Sequence, residues 1–341
     1  QAGVLYQLFD GADQPLSDPS QGLEGQVITI ASTERLQEDT EVFVKAKRVD
    51  TDEPLERLNN SVTIRVRANP GLGVSVPPAS QVVDYGAAGM IEIADSQASV
   101  TYRLYSFPAE ELMYWQNRSG QLPAQLIDIP IDLPNPLPAD LPNQPVVRLA
   151  HPPISEQGVI PAWYQQLSGS DTRGNGGVIS LATPNLEADQ VCVVLALKAG
   201  HQQPEVLRQA AAILVRPNAE VQLSARAATV DSGSEGEVLL NNSQPGVKYY
   251  LRRHEDNSLV PGARQMRPKT SAQVQGSEVQ HGLDRMKVGV DLLVGPPAAD
   301  PLSLPTGPLT SSTTFNVLAV NAQTLVWTQL ASTLTIEVSA T

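Results

Sequence analysis

The sequence predicts an all-β protein built from tandem sandwich modules, and three observations predict it. Val83, Asp84, Gly86, Gly89, Ser96, Gln97, Val100, Tyr102 and Leu104 recur without a gap as Val230, Asp231, Gly233, Gly236, Ser243, Gln244, Val247, Tyr249 and Leu251, an offset of 147 throughout (230 − 83). A duplication of that length means repeated supersecondary units. Between the turn residues of the repeat, apolar side chains alternate with polar ones, the period of a half-buried strand. The 341 residues also include 24 Gly and 28 Pro, with 17% charged and 4% aromatic. That composition suits short strands joined by many turns and leaves little for helices.

Taken in chain order, residues 1–69 form a partial module. Val4, Tyr6 and Leu8 match Val100, Tyr102 and Leu104, while Thr33, Leu36, Val42, Val44 and Ala46 match Thr183, Leu186, Cys192, Val194 and Ala196; Ser61 to Val66 supplies a closing strand. The early strands are missing, because nothing corresponds to Gly73 through Ser99. An incomplete sandwich exposes apolar surface and unpaired strand edges. The favoured expectation is that the chain is part of a longer polypeptide, the other that strands come from another molecule by β-strand addition.

Residues 70–217 read as a complete module: strands around Gly73 to Val76, Met90 to Ala94, Val100 to Tyr105, Val178 to Leu181, Val191 to Leu197 and Ala211 to Val215, punctuated by the Asp84-Tyr85-Gly86 and Asp95-to-Ser99 turns. Residues 218–341 repeat the plan, with Thr306, Leu309, Phe315, Val317 and Ala319 lying 123 positions (306 − 183) after Thr183, Leu186, Cys192, Val194 and Ala196. About seven short strands at this spacing fit an immunoglobulin-like or fibronectin-like sandwich. The links Arg67-Ala68-Asn69-Pro70-Gly71 and Arg216-Pro217-Asn218-Ala219 are short and contain proline, which favours a stiff, extended joint.

Two insertions break the symmetry. Residues 106–176 begin with a helix-start pattern at Pro108, Glu110 and Glu111 and continue through a proline-rich run from Pro123 to Pro153 that is expected to be extended. Val191, Val193, Leu195 and Leu197 make that strand apolar on its second face too, so the insertion is expected to fold over it with Trp115 or Trp163. Residues 258–300 hold Arg264, Arg267, Lys269, Arg285 and Lys287, the most basic stretch of an acidic chain, and read as a solvated loop. Loops that vary over a common framework are where recognition sits. Trp115, Trp163, Arg264, Arg267 and Arg285 are therefore the candidate partner contacts.

A net charge of −13 disfavours nucleic acid or an anionic bilayer as partner. No apolar run reaches the roughly 18 to 20 residues of a membrane span. Cys192 stands where the other copies have Val42 and Phe315, so it reads as a core residue and not a nucleophile. The four histidines are isolated and no hydrolase, phosphate-loop or dinucleotide motif is present. Asp10, Asp13, Asp50 and Asp52 are the candidate calcium ligands, weighed against the commoner role of Asp in solvating tight turns. Asp84 and Asp231 read as turn residues bonding local amides, the repeat glycines as positions of positive φ, and Tyr6, Tyr102 and Tyr249 as buried rings whose hydroxyls reach a polar edge.

Gly233-x-x-Gly236-x-Val238-x-Leu240-x-Asn242-Ser243-Gln244-x-Gly246-Val247-x-Tyr249-x-Leu251, followed by Leu304 to Ala319, resembles the immunoglobulin-like repeats of large bacterial surface and secreted proteins. The likeness spans the strand framework of all three copies and neither insertion. It implies a non-enzymatic, structural or adhesive region of a longer extracellular bacterial protein, with neighbouring modules or other proteins as partners and no cofactor beyond the calcium candidate. A glycan-binding array of a secreted enzyme, and a fibre or phage-tail-like subunit with strand exchange, are the alternatives.

Overall fold

The computed structural model describes residues 1–108, 125–130, 146–151, 164–167, 171–201, 203–267, 301–322 and 324–339. Apart from one helical turn at Pro78–Gln81, every regular element among them is a strand. In the first unit β1 (Val4–Asp10), β2 (Ser20–Gln21), β3 (Thr40–Arg48) and β4 (Glu56–Ile64) make a single antiparallel sheet in the order β2-β1-β3-β4. Alternation sends Leu8 and Val42 to one face, where Leu16, Ile30, Leu36 and Val44 join them. On the other face Phe9 and Phe43 stack with centroids 6.1 Å apart, with Lys45 and Arg57 over the rings.

The second unit comprises β5 (Val74–Ser75), β6 (Val82–Val83), β7 (Ala87–Ile93), β8 (Val100–Pro108), β9 (Gln125–Pro130), β10 (Val146–His151), β11 (Gln165–Gln166), β12 (Thr172–Arg173), β13 (Ile179–Leu186), β14 (Gln190–Lys198), β15 (Glu205–Val206) and β16 (Ala211–Val215). A sheet β13-β7-β5 faces a larger sheet β11-β8-β14-β16-β6, with β12 added to β8 and β15 to β14. The third unit has β17 (Gln222–Ala225), β18 (Thr229–Asp231), β19 (Glu235–Asn241), β20 (Val247–Arg253), β21 (Leu259–Met266), β22 (Leu302–Pro308), β23 (Thr313–Asn321), β24 (Trp327–Gln329) and β25 (Leu334–Ser339). There β17-β19-β22 faces β18-β25-β23-β20-β21, with β24 on β23. Both closed units thus share one plan, and in both a short early strand runs parallel to the closing strand, β6 on β16 and β18 on β25. Two facing sheets with this strand order define an immunoglobulin-like sandwich.

The cores follow the predicted alternation. Ile91, Ile93, Tyr102, Leu104, Leu181, Cys192 and Val194 fill the second unit, and Val238, Leu240, Tyr249, Leu251, Leu304, Phe315 and Val317 the third, all without solvent exposure. Each large apolar side chain so buried stabilises by about 1.5–3 kcal/mol before the entropy cost of ordering it. Register is equally regular: Thr40 pairs with Ile64, Gln190 with Ile213 and Thr313 with Ile336. All three closing strands therefore sit identically on their neighbours.

Within residues 106–176, β9 and β10 pair as an antiparallel hairpin, in keeping with the extended reading of the proline-rich run, and β9 lies against β16. The expected helix beyond Pro108 lies outside the described residues; Pro108 itself ends β8. Val193 and Leu195 are buried as expected. Tyr164, from the end of the insertion, contributes to their cover together with Val206 and with Val326 of the third unit. Trp115 and Trp163 lie outside the described residues. The insertion 258–300 departs from the solvated-loop expectation at its start, where β21 pairs along β20 and extends the sheet. Its apolar residues explain the difference: Val260 and Ala263 enter the core, and Leu259 packs with Tyr250 and Leu318 on the far face. No helix among the described residues is long and apolar enough to cross a membrane.

Candidate functional site: the repeated joints

The links between units end in a construction that occurs twice. In the first, the Asn69 amide donates to Gln97 Oε1 at 2.7 Å, and Asn69 Oδ1 accepts from the Gly71 amide at 2.9 Å. In the second, the Asn218 amide donates to Gln244 Oε1, and Asn218 Oδ1 accepts from the Glu220 amide at 2.9 Å. Each glutamine is itself anchored, because its backbone amide donates to the hydroxyl of the core tyrosine: Gln97 to Tyr102 at 2.8 Å and Gln244 to Tyr249 at 2.7 Å. The linker carbonyls of Pro70 and Ala219 are taken up by the amides of Arg208 and Ala331, both at 2.8 Å. A chain from tyrosine through glutamine to the linker asparagine thus ties each link to the sandwich that follows it. Desolvation pushes the Tyr249 hydroxyl up to about 12, so it stays protonated and polar at neutral pH.

The other half of each joint is an aspartate ahead of the central strand. Asp39 Oδ1 accepts from the Val66 amide at 2.8 Å, and Asp189 Oδ1 from the Val215 amide at 2.7 Å, so each caps the closing strand of its own unit. The same carboxylates reach across. Lys198 Nζ lies 3.0 Å from Asp39 Oδ1 and 3.4 Å from Glu38 Oε2, with its side chain only 3% exposed. Asn321 donates to Asp189 Oδ2 at 2.9 Å. Lys198 and Asn321 are equivalent positions, 123 apart, and both end the central strand. The Val66 amide first, then Lys198, hold the Asp39 carboxyl below its usual range. Gln97 Nε2 to the Gln37 carbonyl at 2.8 Å, Ser99 to Glu38, and Arg65 to the Gly200 carbonyl at 3.2 Å complete the first joint. The second joint adds packing to the Asn321–Asp189 bond, through Val326 in the cluster with Val193 and Leu195.

The candidates read from the sequence lie elsewhere. Asp10 Oδ1 accepts from the amides of Ala12 and Gln14, and Asp13 pairs with Lys45 at 2.7 Å. Asp50 and Asp52 follow the far end of β3: Asp10 pairs with Val42 and Val4 with Arg48, so the two acidic groups are separated by the length of the β1–β3 ladder. At about 3.4 Å per residue that is on the order of 20 Å, too far to share one ion. Among the described residues no group of three or more His, Cys, Asp or Glu is placed to hold a metal. Arg267 donates to the Ser243 carbonyl at 2.7 Å within its own unit, while Arg264 is exposed on β21 opposite Tyr250. Arg285 lies outside the described residues, as do Trp115 and Trp163.

Two readings of the repeat residues are corrected. Asp84 and Asp231 do not cap local amides with their side chains. Asp84 pairs with Arg216 at 3.0 Å and Asp231 accepts from Ser339 Oγ at 2.9 Å, each residue following the closing valine. Gly86 and Gly233 do have positive φ, 76° and 85°. Gly89 and Gly236 fit for a different reason: a Cβ there would come within 2.7 Å of the Ile213 Cδ1 and 3.0 Å of the Ile336 Cδ1, so each isoleucine would have to shift to admit it. Cys192 is wholly buried and its thiol is pushed up to about 12 by burial, the reverse of an activated nucleophile.

No protein-family model matches the chain, and neither does any curated protein. Among solved structures the chain is similar to the FN1–FN3 domains of chicken CNTN1, at 10% identity and a TM-score of 0.29, covering 98% of this chain and 91% of that one. It is also similar to a chimeric titin Z1Z2–Z1Z2 tandem functionalized with a GRGDS peptide from fibronectin, at 12% identity and a TM-score of 0.21, covering 78% of this chain and 96% of the other. The fold class, tandem immunoglobulin-like sandwiches, rests on the strand order and facing sheets described above.

Proposed function

We propose that the chain is a non-enzymatic structural or adhesive arm, a run of sandwich modules in a longer extracellular bacterial protein, whose task is to hold binding surfaces at a set spacing and orientation. The observation that carries this reading is the duplicated joint. Two links of different sequence use the same asparagine, glutamine, tyrosine and aspartate contacts, and a flexible tether has no need of such ties. A short link with its amide, carbonyl and side chain all bonded loses most of its conformational freedom. The buried, high-pKa Cys192 and the use of the joint carboxylates in capping and ion pairing agree with a non-catalytic role.

Spin labels on the second and third units test the reading through their distance distribution. A stiff arm has one narrow distribution that broadens when Gln244→Ala and Asp189→Ala are combined. A wild-type distribution as broad as that of a glycine-serine linker overturns it.

A further inference from the structure

We infer that the outer face of the third unit carries a docking site for the carboxylate of an acidic sugar, with the Arg252 guanidinium as its anchor. Arg252 on β20 lies directly opposite Asn316 on β23. Its Nε donates to Asn316 Oδ1 at 3.1 Å and its Nη2 to Gln329 Oε1 of β24 at 2.7 Å, while Asn316 Nδ2 donates to Asn257 Oδ1 at 2.8 Å. Arg252 is 6% exposed and Asn316 is wholly buried. Both acceptors of the guanidinium are neutral amides, and among the described residues Arg252 forms no ion pair with a carboxylate. Asp256, in the turn that follows β20, accepts instead from the Ser258 amide. A buried cation is normally paired, because leaving water costs it more than amide dipoles return. Desolvation accordingly holds the Arg252 pKa below its usual value. The remaining N–H groups of its planar fork are left for an incoming oxyanion.

The fold does not require this arrangement. At the same register position the first unit pairs Phe9 with Phe43, and the second pairs Tyr105 with Val193. Gln329, opposite Leu318, corresponds to Val206, opposite Leu195. Where the second unit packs Tyr105, Val193 and Val206 into an apolar cluster, the third therefore holds a cation and two amides. A polar trio in a place that an apolar one fills costs stability, and such local departures from the fold's own rules mark functional sites. The guanidinium fork matches the two oxygens of a carboxylate. In a chain of net charge −13, a single carboxylate is also repelled less than a polyvalent phosphate. Around the fork stand neutral hydrogen-bonding groups: the exposed amides of Asn257 and Gln329, and the hydroxyls of Thr314 and Thr335, 2.8 Å apart on the same face. The apolar neighbour Leu318 is fully buried, so this rim offers sugar hydroxyls more to hold than it offers an apolar side chain. The site is independent of how stiff the arm is.

The test is an NMR titration of the full chain with sodium glucuronate, compared with glucose and with sodium chloride at matched ionic strength. The expected result is a saturable shift of the Arg252 Nε–Hε signal and of the Asn316 and Gln329 side-chain amides, with glucuronate alone. Arg252→Lys keeps the charge but loses the fork, and weakens binding by about tenfold or more. Arg252→Tyr, Asn316→Val and Gln329→Val combined rebuild the second unit's apolar trio and abolish binding while the unit stays folded. No saturable shift with glucuronate, or an equal response to glucose or chloride, overturns the inference. So does binding that survives in the triple variant. N-acetylglutamate binding as tightly as glucuronate overturns it too, because the site then takes acidic side chains and not a sugar.

Discussion

Ile64 and Ile213 stand at the same register position of equivalent strands, yet Ile64 is 38% exposed and Ile213 is sealed. Their own strands are alike, so the difference comes from the sheet opposite. In the second unit β7 brings Gly89 down on Ile213; in the first unit a loop takes the place of that sheet and stops short of β4. An apolar residue in a strand contributes stability only through what faces it across the sandwich. The joints also differ, one closed by a buried lysine between two carboxylates, the other by a hydrogen bond from the Asn321 side chain to Asp189 and an inserted valine.

The widest separation between the units is expected from isoleucine truncation. Ile213→Ala should destabilise the second unit by about 2–5 kcal/mol, and Ile64→Ala should cost less than about 1 kcal/mol. Chemical denaturation followed by unit-resolved hydrogen exchange reads both, and equal losses would mean that the first unit is closed in solution. Next in size is Asp189→Ala, which leaves the buried Val215 amide without its acceptor and should cost about 1–3 kcal/mol. A double-mutant cycle with Asn321→Ala isolates the part that crosses the joint; a coupling of zero would separate capping from linkage.

Tyr249→Phe removes the acceptor of the Gln244 amide and should cost about 1 kcal/mol, and Tyr6→Phe should cost less. Tyr6 accepts the corresponding bond from the Gln1 nitrogen, 3.1 Å away, at an exposed site. Thermal unfolding of the two variants ranks them. The smallest effect is pH dependence at the first joint. Asp39 has a folded pKa below its unfolded value near ~3.9, so its contribution is complete above that value and is lost as pH falls through the lowered folded pKa. An NMR titration should leave the Val66 amide unmoved through neutral pH and shift it only in acid; a midpoint above the usual carboxylate range would contradict the ion pair with Lys198.

Much of the framework was legible in the text of the chain. The period-2 stretches and the 147- and 123-residue offsets correspond to what is seen, because alternation and turn residues act over a few neighbours. The joints were harder to read. Gln97, Gln244, Tyr102 and Tyr249 were visible as identities, and Asp39 and Asp189 recur 150 positions apart (189 − 39), but nothing local says that a repeated residue serves a neighbouring unit or link as well as its own unit. Asp10 and Asp13 lie at one end of the β1–β3 ladder and Asp50 and Asp52 follow the other, a separation set by antiparallel pairing.

Alternating side chains and punctuating glycines determined by themselves that this chain would make sandwiches, and where their principal core strands fall. Tertiary structure alone decided that Lys198 is buried against carboxylates of the preceding unit and that Val326 covers its neighbour's outer face. The reason is that strand formation is settled within a few residues of chain, whereas burial and pairing depend on groups more than a hundred residues away that only packing brings together.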